Sequence, residues 1–379
     1  MDQINKSKEF HKKHQGKIGI ELKAKMETAE DLSLFYTPGM AYICKEIVND
    51  KESAKIYTAK GRSIAMVCDG TAVLGFGDIG PEAAIPVLEG KSAVYKKFAN
   101  LDAVPLCINK IGIEKTVDLC LALEASYSGI HLEDIKSPEC FYILKKLQEK
   151  ASVPVFHDDQ HGTAVVVLAG LLNALKVTDR NIKDTSIVIN GAGAAGLATL
   201  EVLKEAGFKK LRILDSKGLI CNERNDLNDF KKMALNYVEE SKFMKLEEAI
   251  KDTDVFIGLS VAKVVSKDYV RSMSKDPIIF ALANPEPEIW PEDALEAGAA
   301  VVATGRADYP NQVNNVVAFP GIFKGAIENK IKQFTNKMYV NAAKNLAEFV
   351  KNPSSDHIIP SIFDKGVVEA VSSAILEDC

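Results

Sequence analysis

The segment Asp184 to Ile220, DTSIVINGAGAAGLATLEVLKEAGFKKLRILDSKGLI, constrains the fold of this chain more than any other. An apolar run leads into a turn spaced G-x-G-x-x-G, a stretch with helical periodicity follows, and a second apolar run ends at Asp215. Two strands joined through a helix pair in parallel, because only a crossover connection can bring them side by side. The glycine spacing alone is weak evidence; strand, turn, helix, strand and terminal acid in this order are the context a dinucleotide fingerprint requires. Gly191 permits the tight turn, Gly193 lets a pyrophosphate approach the backbone, and Gly196 lets the helix pack closely. Ala192, Ala194 and Ala195 keep the cradle small, and the helix N-terminus supplies N–H groups for phosphate oxygens. Asp215 stands where ribose hydroxyls would lie. Its charge favours NAD over NADP, although Lys217, Arg224, Lys231 and Lys232 lie downstream and are placed to receive a 2′-phosphate.

The same alternation runs through most of the chain. After polar helices up to about residue 50, the pattern predicts strands over 63–69, 103–109, 128–133 and 153–157, with helices over 81–99, 114–126 and 137–150. A second series has strands near 185–190, 210–215, 254–259, 278–283 and 300–303, and helices near 194–206, 228–239, 245–251 and 266–274. The fold class is therefore α/β with two domains. Residues 1–157 form an α/β domain, 158–315 a doubly wound Rossmann-type dinucleotide-binding domain, and the helical segment 316–379 packs back on the first.

With 379 residues, 47% of them hydrophobic, the chain can bury a large core. A formal charge of −5 and dispersed basic residues give no general attraction to nucleic acid. The N-terminus is polar and no uninterrupted apolar run reaches the roughly 18 to 20 residues that span a bilayer. A soluble, cytoplasmic protein without membrane or nucleic-acid partners is expected. Seven cysteines, an odd count without a CxxC pair and mostly within apolar segments, read as buried thiols of a reducing compartment.

The first domain places its acids at strand exits: Asp69, Glu133-Asp134 and Asp158-Asp159. Ligand sites of open parallel sheets lie beyond the carboxyl ends of the strands. Asp158 or Asp159 alone reads equally well as a cap for the helix that starts near Thr163. With Glu133-Asp134 on a neighbouring strand, however, several carboxylates converge, and without a cation they would repel. Hard oxygen donors suit Mg²⁺ or Mn²⁺, whereas zinc would favour imidazole or thiolate. His157 and His161 are accordingly read as hydrogen-bonding partners that orient the acids, and Asp158, adjacent to Asp159 at a strand end, as a supporting residue.

At this point the sequence resembles the malic enzymes, in particular their short prokaryotic form. The pieces that carry the resemblance are FYTPGM at Phe35–Met40, GFGDIGPEAAIPVLEGK ending at Lys91, HLEDI at His131–Ile135, FHDDQHGTA, INGAGAAG, FALANP at Phe280–Pro285 and YPNQVNNVVAFPG at Tyr309–Gly321. The resemblance implies metal-assisted oxidative decarboxylation of malate to pyruvate. Tyr36 would be the general acid and Lys91 the general base. Glu133, Asp134 and Asp159 would hold Mg²⁺ or Mn²⁺, and Asn284, Asn314 and Asn315 would contact substrate or nicotinamide. A homodimer is implied too. The pattern departs at Asp69-Gly70-Thr71-Ala72, where Ala72 takes the place of a substrate-binding arginine in larger relatives; Arg306 or backbone N–H groups are the expected substitutes. Two other readings stand beside this one: a malolactic enzyme releasing lactate, and a non-catalytic NAD-binding sensor.

Overall fold

The computed structural model describes residues 3–73 and 75–377, so Cys379 lies outside the described residues. Two parallel sheets follow one another along the chain. The first contains β1 (Ser63–Cys68), β2 (Asp102–Cys107), β3 (Gly129–Glu133) and β4 (Val155–His157) in the order β2-β1-β3-β4. The second contains β5 (Ser186–Asn190), β6 (Lys210–Asp215), β7 (Gly218–Leu219), β8 (Val255–Gly258), β9 (Ile278–Ala281) and β10 (Val301–Thr304) in the order β10-β9-β8-β5-β6-β7. This is the two-part α/β architecture anticipated from the alternation. β1 shows its cause: every residue of SIAMVC is buried, as a parallel strand covered on both faces requires.

Three local features differ from the reading of the sequence. β7 turns back antiparallel on β6, pairing Asp215 with Gly218, and two residues are too few to show a period. The helix Pro291–Glu296 was not anticipated, although Pro291 at its first position and Glu292 and Asp293 in its first turn are start signals. The helix expected over 81–99 ends at Val94 and widens through Tyr95–Ala99, where Asn100 at φ 54° closes it.

The segment after Val316 forms helices Phe319–Glu328, Asn336–Phe349 and Val367–Ser372. Phe319 and Phe323 stack around Tyr95 and His131, and Phe323 also meets Phe156, all from the first sheet's layer. The helix Asn336–Phe349 lies along the linking helix Thr163–Val177, where Asn173 Nδ2 donates to Ala347 O and Ile358 O, each at 2.9 Å. One apolar cluster therefore runs through both halves, from Val67 and Phe156 to Ile189 and Phe280. A smaller one covers the opposite face of the second sheet at Val188, Phe256 and Ile279. Among the described residues, one helical stretch, Asp158–Val177, is long and apolar enough to cross a membrane; it is 78% buried inside the protein and serves as a core helix. The helices Ala29–Phe35 and Gly39–Asn49, by contrast, bury no residue at all.

Candidate active site

The carboxyl ends of both sheets open onto one cavity of about 640 Å³. Lys91, Glu133, Asp134 and Asp159 line one end; Ala194, Ala195, Asn284, Asn314 and Asn315 line the other. Glu133 is the last residue of β3. Asp134 follows in the left-handed region at φ 53°, and its carbonyl accepts from Thr71 N and Ala72 N, each at 3.1 Å. Asp158 and Asp159 open a wide helical turn directly after β4, and Asp159 Oδ2 accepts from Asp134 N at 2.9 Å. The two acid pairs are thus tied to each other through the backbone of one and the side chain of the other.

Glu133, Asp134 and Asp159 each offer an oxygen within 4.8 Å of the others, and Asp134 Oδ2 is buried with no hydrogen-bond partner. An all-carboxylate donor set with an orphaned oxygen fits a hard divalent cation. The three acids differ in how tightly the surrounding chain makes them hold a proton. Burial, then Glu133 and Asp159, push Asp134 up to about 9, and burial and Glu133 likewise raise Asp159 well above the usual carboxylate range. Burial works against Glu133 too, but Lys91 and His131 outweigh it and hold it down at about 2.

Lys91, on the helix Pro81–Val94, donates to Asp158 Oδ2 and lies 3.0 Å from Glu133 Oε1, with 13% of its side chain exposed. Burial alone would lower its pKa. Asp158, Glu133 and Asp159 together reverse that and raise it above the ordinary value. In the chain by itself, three surrounding carboxylates thus oppose the lowered pKa that a general base near neutral pH requires. Asp158 is completely buried and serves Lys91.

Behind Glu133 runs a connection that sequence reasoning missed. His131 Nε2 sits 2.6 Å from Glu133 Oε2, and Tyr95 Oη sits 2.9 Å from His131 Nδ1. Because ionised Glu133 can only accept, the assignment that satisfies every atom has Nε2–H donating to Glu133 and the tyrosine hydroxyl donating to Nδ1. The signal was present in HLEDI: residues two apart on a strand share a face. His157 and His161 do not take the orienting role expected of them. Both His157 nitrogens lack partners, its Nδ1 is 3.7 Å from Asp159 Oδ2, and burial holds the ring neutral with a pKa of about 3. His161 stacks on Tyr339 at 4.5 Å instead.

On the dinucleotide side, backbone conformation does the shaping. Gly191 has φ 123°, and a Cβ there would meet Leu259 O at 2.3 Å. A Cβ on Gly196 would lie 1.7 Å from Gly191 O, whereas one on Gly193 would meet nothing within 4 Å. The turn is closed at its first and third glycines and open at the second, beside the N-terminus of helix Ala194–Glu205. A neighbouring cavity of about 370 Å³ includes Ala192's neighbour Gly191 and Asp215. The Asp215 carboxylate accepts from Arg224 at 2.7 and 3.1 Å and from Lys231 at 2.7 Å. Burial opposes its charge, but these two cations hold it down at about 2. Lys217 pairs with Asp226 at 2.6 Å.

Asn284 lines the cavity before a cis peptide bond to Pro285. Asn314 lines it too, but its Oδ1 caps Val316 N at 2.9 Å. Another residue without a sequence signal, Glu288, is fully buried and accepts from Ser260 N at 3.0 Å and Ala283 N at 2.9 Å, fixing the loops after β8 and β9. Two expected residues are not brought in. Arg306 is committed to Asp308 at 2.6 Å and to Pro285 O at 2.7 Å and does not line the cavity, so it does not replace the arginine absent at Ala72. Lys91 is the one cationic side chain among the lining residues. Tyr36 is 59% exposed at the end of helix Ala29–Phe35 and is not among them either; that helix has no buried residue among those described.

Two family models match the chain: the malic enzyme N-terminal domain over residues 15–148 and the malic enzyme NAD binding domain over 160–377. The bifunctional malic/malolactic enzyme of Bacillus subtilis is 48% identical over 97% of this chain and 90% of its own length. The NADP-dependent malic enzyme of Halomonas elongata is 40% identical over 96% and 90%. The crystal structure of the NAD-dependent malic enzyme from Thermotoga maritima superimposes with a TM-score of 0.94 at 43% identity, covering all of both chains. The cavity that joins the helix after the glycine turn to a cluster of carboxylates and a buried lysine thus sits in a chain that belongs to the malic enzyme family.

Proposed function

We propose that this protein oxidises and decarboxylates L-malate to pyruvate and CO₂, with NAD⁺ or NADP⁺ as the acceptor and Mg²⁺ or Mn²⁺ held by Glu133, Asp134 and Asp159. The observation that carries the reading is the single cavity that joins Lys91 and the three acids to Ala194 and Ala195, at the N-terminus of the helix that follows the glycine turn. When bound, the cation supplies Lewis acidity at substrate oxygens and the nicotinamide accepts hydride. Lys91 is the proton acceptor for the substrate hydroxyl. It is held charged by three carboxylates, and it becomes a base once their charge is compensated. Asp158 keeps its amine aimed into the cavity. Asn284 and Asn315 offer amide donors to a substrate carboxylate, and Glu288 holds the loop from Leu282 to Asn284 in place. Asp215 receives the ribose hydroxyls of NAD; Arg224 and Lys231 beside it supply the charge that would accept a 2′-phosphate, so use of both coenzymes is supported.

The proton that completes pyruvate comes from Tyr36, and we place this residue in the cavity of a second copy. The support is its exposure together with the bare apolar face of its segment, which includes Leu34 at 72%, Tyr42 at 68% and Val48 at 80% exposure. Such a face is the kind that homodimers cover. The six described cysteines are free thiols, which suits a cytoplasmic setting.

The test is to incubate L-malate with Mn²⁺ and either coenzyme and follow reduced coenzyme, pyruvate and lactate together. Equal amounts of reduced coenzyme and pyruvate support the proposal. Lactate without net reduction would establish the malolactic reading, which the Bacillus subtilis relative's name brings into view; coenzyme binding without turnover would establish a sensor. Mixing Tyr36→Phe with Lys91→Ala subunits should recover part of the activity that each lacks if the residues meet across a dimer.

A further inference from the structure

A second cavity, of about 320 Å³, shares the turn that carries Asp158 and Asp159 but is lined by its next two residues, Gln160 and His161. Its walls come from both halves of the molecule. Phe141 on the helix Glu139–Lys150 and Phe230 on the helix Asp229–Ala234 stand with ring centroids 4.7 Å apart, and Phe334 contributes a third aromatic face. Glu201 projects from the helix Ala194–Glu205, and Lys145 is exposed at the rim.

The polar groups here are unmatched. Gln160 is 4% exposed and its Nε2 has no hydrogen-bond partner; His161 is 6% exposed and its Nδ1 has none. Glu201 makes no hydrogen bond or ion pair among the described residues, and burial pushes its carboxyl up to about 7. The titratable groups around it are Lys145, His161, which burial keeps neutral with a pKa of about 4, and Tyr237, whose hydroxyl is raised by burial and then by Glu201. A buried amide donor or ring nitrogen without a partner is costly, so the site has much to gain from a ligand that supplies the missing halves. An unpaired carboxylate among aromatic faces is suited to an organic ammonium. An orphaned amide donor beside a rim lysine is suited to a carboxylate.

We infer that this cavity binds a small zwitterion, an α-amino acid with an apolar side chain, its ammonium at Glu201, its carboxylate at Gln160 and Lys145, and its side chain against Phe141, Phe230 and Phe334. Nothing in this assignment depends on malate turnover. It does place the occupant against the turn that presents Asp159 to the other cavity.

Calorimetric titration of the intact protein, without malate, metal or nucleotide, tests it directly. The probes are L-leucine, L-methionine and L-phenylalanine, with isopentylamine and isovalerate as half-ligands. At least one amino acid should bind saturably at neutral pH and release a proton, seen as a heat that varies with the ionisation enthalpy of the buffer, because a cation lowers the Glu201 pKa. Glu201→Gln should weaken that binding more than tenfold and remove the proton release. Met233→Trp, at a rim position that is 45% exposed and tolerant of bulk, should block entry without lowering the melting temperature. Binding confined to one half-ligand, amino-acid binding that survives Glu201→Gln unchanged, or no saturable heat with any probe, as a merely water-filled cavity would give, each overturns the inference.

Discussion

The two halves of the candidate active site are built by opposite means. The dinucleotide end is shaped by backbone: three glycines, a helix N-terminus, and an aspartate whose charge is answered by Arg224 and Lys231. The acid end is shaped by buried charges that answer one another, with Lys91 between Asp158 and Glu133, Glu133 on His131, and Asp134 left without a partner. A backbone site is complete in a single chain before any ligand arrives. A charge site balances its own acids against its own lysine, with a protonated Lys91 and a reluctantly ionised Asp134, and has to change that balance to work.

The strongest test of this contrast is Lys91→Ala. Malate oxidation should fall about 10²- to 10⁴-fold, the usual contribution of a positioned proton acceptor, while NAD binding measured by fluorescence stays within a few-fold of wild type. A comparable loss of NAD affinity would mean that the two ends are not separable.

Asp159→Asn comes next. It keeps the shape and an oxygen to accept from Asp134 N but removes one charge from three acids within 4.8 Å. Mn²⁺ affinity should drop by orders of magnitude, and the metal-free protein should melt no lower than wild type. If Asp159 were only a helix cap, Mn²⁺ titration would be unchanged and the melt would move instead. The pH dependence gives the same comparison without a substitution. Asp134 has a folded pKa of about 9 against an ordinary 3.8, so the folded state holds its proton more tightly, and its stabilisation is lost as pH rises toward 9. Glu133 and Asp215, held down at about 2, lose theirs only when pH falls toward that value. Chemical denaturation of metal-free protein should therefore show stability declining from about pH 5 to 9, and Asp134→Asn should flatten the decline.

This contrast also explains what was legible in the sequence. Gly191, Gly193, Gly196 and Asp215 could be read because a backbone conformation is a local property, encoded by residues close together in the chain. Glu133, Asp134 and Asp159 were legible as a cluster only because strand alternation put their strand ends side by side. Their partners were not, since a hydrogen bond between Tyr95 and His131 depends on how a helix lies on a sheet. Glu288 is farther out of reach: an acid in a Pro-Glu-Pro-Glu stretch gives no hint that it will be buried holding two loops. Tyr36 shows the other limit: it is 59% exposed and does not line the cavity, and its proposed place in a second copy is not something its own chain's pattern could supply.

Coenzyme choice is a smaller effect and sharpens the dinucleotide end. Asp215→Ser frees Arg224 and Lys231 from their shared carboxylate, so the kcat/KM ratio for NADP⁺ over NAD⁺ should rise roughly tenfold, equivalent to about 1.4 kcal/mol. An unchanged ratio would show that these cations do not face the ribose.

The smallest expected effect on turnover is the most discriminating for the acid end. Tyr95 is fully buried, and its hydroxyl donates to His131 Nδ1 while Nε2–H donates to Glu133. Tyr95→Phe keeps the ring and its packing on Phe319 and Phe323 but leaves Nδ1 as a buried acceptor without a donor. That should cost about 1–3 kcal/mol of stability. The bond that positions Glu133 survives, because ionised Glu133 still selects the tautomer with hydrogen on Nε2. Metal affinity and kcat should consequently stay within a few-fold of wild type as the melting temperature falls. If kcat drops far more than stability while KM is unchanged, the balance of charge around Lys91 extends two side chains behind Glu133, and the tyrosine belongs with the positioning residues of the reaction.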